Sequence, residues 1–151
     1  MAFVKKRGRT KWMWLPVTPS TAITKGSLVA WSSGKLVAAN ATTRPHLIVG
    51  VLRHTISASD PDYALDRLVE VEVPIEKFVE WEADVSSESS LSASDIGGYF
   101  ELCTALLVNR ALVSYRVVQC VGYISATKGR FVLNIGPDAM AGYTEDGSKP
   151  A

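Results

Sequence analysis

Leu68-Val69-Glu70-Val71-Glu72-Val73-Pro74, followed by Val79-Glu80-Trp81-Glu82-Ala83-Asp84-Val85, decides the fold class. Val69, Val71 and Val73 alternate with Glu70 and Glu72. Val79, Trp81, Ala83 and Val85 alternate with Glu80, Glu82 and Asp84. A period of two is the pattern of a strand with one apolar face. Slipping by one residue would bury the carboxylates, so each register is fixed, and the acids are expected to face solvent or a partner. Pro74 interrupts the pattern between the two runs.

Working outward, more strands follow. Ser27–Trp31 and Lys35–Ala38 flank Ser32-Ser33-Gly34 and read as a hairpin with a glycine-containing turn. Leu47–Ile56 reads as a strand in which Gly50 marks a bulge or a close backbone approach. Leu112–Val118, Gln119–Ser125 and Phe131–Ile135 complete the set, the last after a turn at Thr127-Lys128-Gly129. Helix signals are short: one turn after Ser59-Asp60-Pro61, and a turn at Ser92–Asp95 before Gly97-Gly98. The spacing predicts a mainly β protein, a small single-domain barrel or sandwich with little helix. Ile23-Thr24-Lys25-Gly26-Ser27-Leu28-Val29 echoes Ala126-Thr127-Lys128-Gly129-Arg130-Phe131-Val132, too briefly to mark a duplication.

The net charge of +1 hides a strong separation. Lys5, Lys6, Arg7, Arg9 and Lys11 stand without an acid in the first eleven residues. Residues 60–101 carry twelve acids against Arg67 and Lys77. A polar basic segment has little apolar surface to bury, so residues 1–19 are expected to form an extended arm outside a β-domain at 20–136. Residues 137–151, without apolar period, are expected to form a flexible tail. The arm's cations seek something negative: another protein, a neighbouring copy's acidic middle, or nucleic acid. Trp12 and Trp14 share one face of an extended segment and suit an apolar groove. Lys5, Lys6, Arg7, Arg9, Lys11, Trp12 and Trp14 are therefore the candidate partner-binding residues. Removing residues 1–14 is expected to leave the domain folded.

Chemistry-bearing patterns are sparse. Cys103 and Cys120 sit in apolar runs outside any CxxC pair and read as buried free thiols. Along an extended chain His46 and His54 would stand about 27 Å apart, too far to share a metal. Asp60, Asp62 and Asp66 resemble a calcium loop, but Leu65 takes the glycine position and Val71 the closing glutamate position. Neither GxxxxGK[ST] nor GxGxxG occurs, so no phosphate cradle, cofactor or metal is expected, and the chain reads as a non-enzyme. No run of about 18 apolar residues is present, so no membrane span is expected, and the protein is expected in the cytoplasm or assembled there.

The ordered string Ile23–Val29, Ser33-Gly34-Lys35-Leu36-Val37, Ile48-Val49-Gly50-Val51-Leu52, Leu68–Val73, Asp95-Ile96-Gly97-Gly98-Tyr99-Phe100-Glu101-Leu102 and Cys120-Val121-Gly122-Tyr123-Ile124 resembles the capsid decoration (cement) proteins of tailed bacteriophages. The likeness spans roughly residues 20–136. It implies a compact β-domain on the outside of a phage head, commonly a homotrimer, clamping neighbouring major capsid protein subunits. It also implies assembly in the host cytoplasm, a place in the virion and no catalytic residues. Two other classes remain open: a nucleic-acid-binding β-barrel using the basic arm, which the acidic middle disfavours, and a small β-barrel enzyme.

Overall fold

A computed structural model describes residues 2–87, 90–111 and 115–134. Among them run eleven strands: β1 (Val4–Arg7), β2 (Thr10–Val17), β3 (Leu28–Ser32), β4 (Lys35–Ala38), β5 (Ile48–Leu52), β6 (Arg67–Pro74), β7 (Glu80–Val85), β8 (Tyr99–Thr104), β9 (Leu107–Asn109), β10 (Val118–Ser125) and β11 (Lys128–Leu133). Single 3₁₀ turns at Pro45–Leu47 and Ala93–Asp95 are the helical elements of these residues. The protein is mainly β, as its alternation predicts.

The strands close into two five-membered barrels. The first runs β2-β4-β3-β5-β6. The second runs β7-β11-β10-β8-β9 and closes through β7 and β9, with β1 added on β7. The two barrels share one topology. In each, the first strand lies parallel to the third and antiparallel to the fifth. The second lies antiparallel to the third and fourth, and the fourth to the fifth.

Backbone bonds repeat in the same places. Ser27 N–H donates to the Thr24 carbonyl at 3.1 Å, and Gly98 N–H to that of Asp95 at 2.9 Å. Gly26 N–H reaches Leu52 at 2.9 Å, and Gly97 N–H reaches Cys120 at 2.7 Å. Gly26 and Gly97 hold φ of 86° and 93°, a region open chiefly to glycine. The real counterpart of Thr24–Ser27 is therefore Asp95–Gly98. The Lys25-Gly26/Lys128-Gly129 echo joins unlike places, because Lys128 and Gly129 open the last strand of the second barrel.

Alternation along β3 joins the barrels. Val29 and Trp31 point into the first barrel with Val17, Leu36, Leu52, Val69 and Val71. Leu28 and Ala30 point the other way, into a cluster holding Trp81, Phe131, Leu102 and Val118 of the second. One wall thus serves two cores, and Leu28 N–H donates across to the Ala105 carbonyl at 2.9 Å.

Turn chemistry agrees with the sequence at β3–β4, where Ser33 and Gly34 take φ of 52° and 80° in a two-residue loop. Gly50 answers both expectations. It sits at a register shift between β3 and β5, and a Cβ there would lie 2.2 Å from the Glu72 carbonyl oxygen. Ser92 and Asp95 form a reciprocal capping box on their turn.

Other expectations are corrected. Residues 1–19 do not form a separate arm: β1 pairs with β7, and β2 pairs with β6 through eight residue pairs from Thr10↔Pro74 to Val17↔Arg67. The segment lacks apolar surface for a core of its own, but strand pairing needs only a partner edge. The domain therefore begins before residue 20. Pro74 ends β6 paired and buried. The residues after Pro61 form turns without a helix. The strand expected over Leu112–Val118 begins only at Val118 among described residues, with 112–114 outside them. The tail at 137–151 also lies outside the described residues.

Removing residues 1–14 takes out β1 and most of β2 and opens the first barrel. The shortened chain is expected to lose its cooperative thermal transition; an intact one would show that these strands are dispensable. Gly50→Ala is expected to lower the unfolding free energy in urea by about 1–3 kcal/mol through overpacking against Glu72. An unchanged midpoint would contradict the close approach.

Candidate partner-binding surface

The basic segment meets the acids of its own chain. Lys6 Nζ lies 3.8 Å from Glu82, and Arg7 Nε 3.6 Å from Glu80, both across the β1–β7 pair. Lys128 approaches β7 from the other side, at 3.6 Å from Glu82 and 3.9 Å from Asp84. Arg9 grips Glu76 twice, with Nε at 3.1 Å and its backbone N–H donating at 2.9 Å. Lys5 reaches Glu72 at 3.7 Å. The acids were expected to face solvent or a partner; instead they are half-buried or buried beneath cations of the same chain. Each exposed pair contributes only about 0–1 kcal/mol, but together they bring the two oppositely charged segments read from the sequence against each other within one chain.

Glu72 differs from the rest because it is only 8% exposed. Thr10 Oγ1 donates to it at 2.7 Å, and Arg53 Nη1 lies 3.8 Å away. A buried carboxylate needs such partners, since an uncompensated one costs several kcal/mol.

Four of the five basic candidates, Lys5, Lys6, Arg7 and Arg9, are thus engaged internally. Lys11 is exposed and has no acid partner among the described residues. The indoles stand apart. Trp12 and Trp14 lie opposite Glu72 and Glu70 on β6 and point to the same outer side. They remain 55% and 60% exposed. Beside them is Leu68, also exposed, opposite Pro16. Arg53 stacks on Trp12 with its guanidinium carbon 3.9 Å from the ring centroid. The same side chain lies 3.9 Å from Glu70, which also has His54 Nε2 at 3.5 Å. Next to Trp12 opens a cleft of about 440 Å³, lined by Phe3, Lys5, Lys25, Val51 and Arg53 among others. The arrangement presents two aromatic faces on a strand paired along its whole length with β6, the composition of an interface anchor.

Sequence reasoning placed the two tryptophans together but missed Arg53 and Leu68. Alternation marks Leu68 as an outward residue only once the β6 register is known. Arg53 joins through the long-range β5–β6 pairing, which leaves no local signal.

Elsewhere several acids are met by cations of the same chain. Arg67 binds Asp60 at 3.1 Å and also binds Asp62, while Lys35 takes Asp66 at 2.6 Å. The three acids of the apparent calcium loop therefore meet cations. Among the described residues no group of three His, Cys, Asp or Glu is placed to hold a metal, and no helix is long and apolar enough to cross a membrane. Cys103 and Cys120 are free thiols. Burial pushes the Cys120 thiol up, the direction that disfavours the thiolate. The backbone N–H of Ser57, followed by Arg67, holds Asp60 below its ordinary value. Arg110 does the same for Asp95.

The chain matches no protein-family model, and no curated protein matches it at a significant level.

The Arg9 backbone N–H, and then its side chain, hold the Glu76 carboxyl below its ordinary 4.5. A carboxyl with a depressed folded-state pKa adds stability above pH 4.5 and loses it as pH falls through the folded value. Glu76→Gln is expected to lower the melting temperature at pH 7 and to narrow the gap to wild type as pH drops below 4.5. A gap that stays constant over that range would contradict the Arg9–Glu76 contact.

Proposed function

We propose that this protein is a structural decoration protein on the outer surface of a phage head, seating Trp12 and Trp14 against major capsid protein subunits and reinforcing their junctions. The observation that carries the reading is the pair of exposed indoles fixed on a paired strand. Aromatic side chains held rigidly lose little entropy on docking, and such residues dominate interface energetics. The ordered motif resemblance supplies the class of partner. A cement role needs modest contacts multiplied by symmetry, which a small rigid double barrel can offer at every site of a shell. Homotrimer formation and a place in the virion belong to the same proposal.

The charge pattern weighs against the nucleic-acid reading. Phosphate binding draws its strength from cations that release counterions. Here Lys5, Lys6, Arg7 and Arg9 already face Glu72, Glu82, Glu80 and Glu76.

Co-sedimentation with empty capsid shells tests the reading. Trp14→Ala is expected to weaken binding about tenfold or more, the effect of losing an interface anchor, while Lys11→Ala changes it little. Lys5→Ala is a poor control because it strips a cation from buried Glu72. Equal losses at Trp14 and Lys11 would argue for an electrostatic contact, and no sedimentation of the wild type would remove the capsid reading.

A further inference from the structure

The duplicated barrels are an internal control for which charges the fold requires. The parallel pairs Val17↔Leu36 and Val85↔Val108 align Val17 with Val85, so Trp12 corresponds to Glu80. Their partners across the sheet, Glu72 and Val132, then correspond to each other. The turn of Thr24–Ser27 matches Asp95–Gly98, which sets Lys25 against Ile96. The bonds from Gly26 to Leu52 and from Gly97 to Cys120 set Arg53 against Val121. The second barrel thus builds the same topology with Ile96, Val121 and Val132 where the first has Lys25, Arg53 and Glu72. The topology itself requires none of these three charges.

Glu72 has a structural task, because it receives Thr10 and Lys5 and so ties β2 and β1 to β6. Lys25 and Arg53 do not share it equally. Both line the cleft of about 440 Å³ beside Trp12, together with Lys5 and Glu72, so three cations there face one acid. Lys25 is exposed and has no acid partner among the described residues. Arg53 approaches Glu70 and Glu72 only to 3.9 and 3.8 Å, and its Nε is buried without a hydrogen-bond partner. Stacking on the Trp12 ring at 3.9 Å holds that guanidinium in place. An ammonium and a guanidinium lining one cleft, with donors to spare, suit a carboxylate that accepts from both.

We propose that this cleft receives an aspartate or glutamate side chain of the protein on which Trp12 and Trp14 dock, held by Lys25 and Arg53. The partner's existence rests on the capsid reading; its chemistry, an acidic side chain flanked by apolar ones, is what the cleft adds. Charge selects this occupant over a nucleic acid. Three lining cations against one lining acid suit a single carboxylate. Glu70 and Glu72, both beside Arg53, would repel a run of phosphates.

NMR titration of the full chain with acetyl-Leu-Glu-Leu-amide tests this, read at the Trp12 indole N–H and the Arg53 Nε–H. A saturable shift at both is expected. The neutral Leu-Gln-Leu isostere, which needs no variant to fold, is expected to bind about tenfold more weakly. Lys25→Glu, at an exposed position, is expected to weaken the acidic peptide by about tenfold or more. Equal affinity for the two peptides, no saturation, or tighter binding of inorganic phosphate than of the acidic peptide would overturn the carboxylate assignment. Co-sedimentation with empty capsid shells separates the cleft from the capsid reading. Wild-type sedimentation that Lys25→Glu leaves unchanged would overturn the cleft and spare the capsid. A wild type that fails to sediment but keeps its preference for the acidic peptide would remove the capsid and support the cleft.

Discussion

The buried Glu72 carboxylate is the point at which the separate parts of this protein are tied together. It stands on β6, accepts from Thr10 on β2, and draws Lys5 from β1 and Arg53 from beyond β5. Lys5 belongs to the strand that covers the second barrel, whereas Thr10 and Arg53 belong to the first. A carboxylate at this depth is tolerated only while its partners stay in place. The segment from Lys5 to Thr10 is therefore committed to its own chain. That commitment closes the first barrel, pairs β1 with β7 of the second, and engages four of the five N-terminal cations.

Duplication explains the rest of the architecture. Two barrels of one topology are fused through a wall in which Leu28 and Ala30 serve one core and Val29 and Trp31 serve the other. Such a wall must be apolar on both faces, and the run Leu28-Val29-Ala30-Trp31 is. Among the described residues the barrels then diverge where β1 pairs along β7 and no strand pairs along the matching part of β2. The exposed tryptophans lie on the open side. Surface aromatics are thus found where, among the described residues, the duplicated fold has an uncovered edge, which is a physical reason to propose a partner contact there.

Much of this was legible in the residues. Alternation in Leu68–Val73 and Val79–Val85 gave the strands and their inward faces, and Ser33-Gly34 gave the hairpin. The shared face of Trp12 and Trp14 was readable as well. The fate of the basic segment was not, because a run such as Lys5-Lys6-Arg7 has no period that distinguishes a solvated arm from an edge strand. Its partner strand, β7, lies more than seventy residues away in sequence, so no local pattern reports the pairing. The duplication escaped for a related reason. It survives in backbone geometry, in the positive φ of Gly26 and Gly97 and the bonds around them. The side chains have diverged as far as Leu52 and Cys120.

The central claim is that the basic N-terminal strand belongs to its own molecule's fold. Val4 and Glu82 lie directly opposite each other across β1 and β7. Oxidising Val4→Cys/Glu82→Cys, with Cys103 changed to serine, tests it directly under denaturing, non-reducing conditions. The account predicts an internally crosslinked monomer at every protein concentration. Covalent dimers, or no crosslink at all, would contradict it.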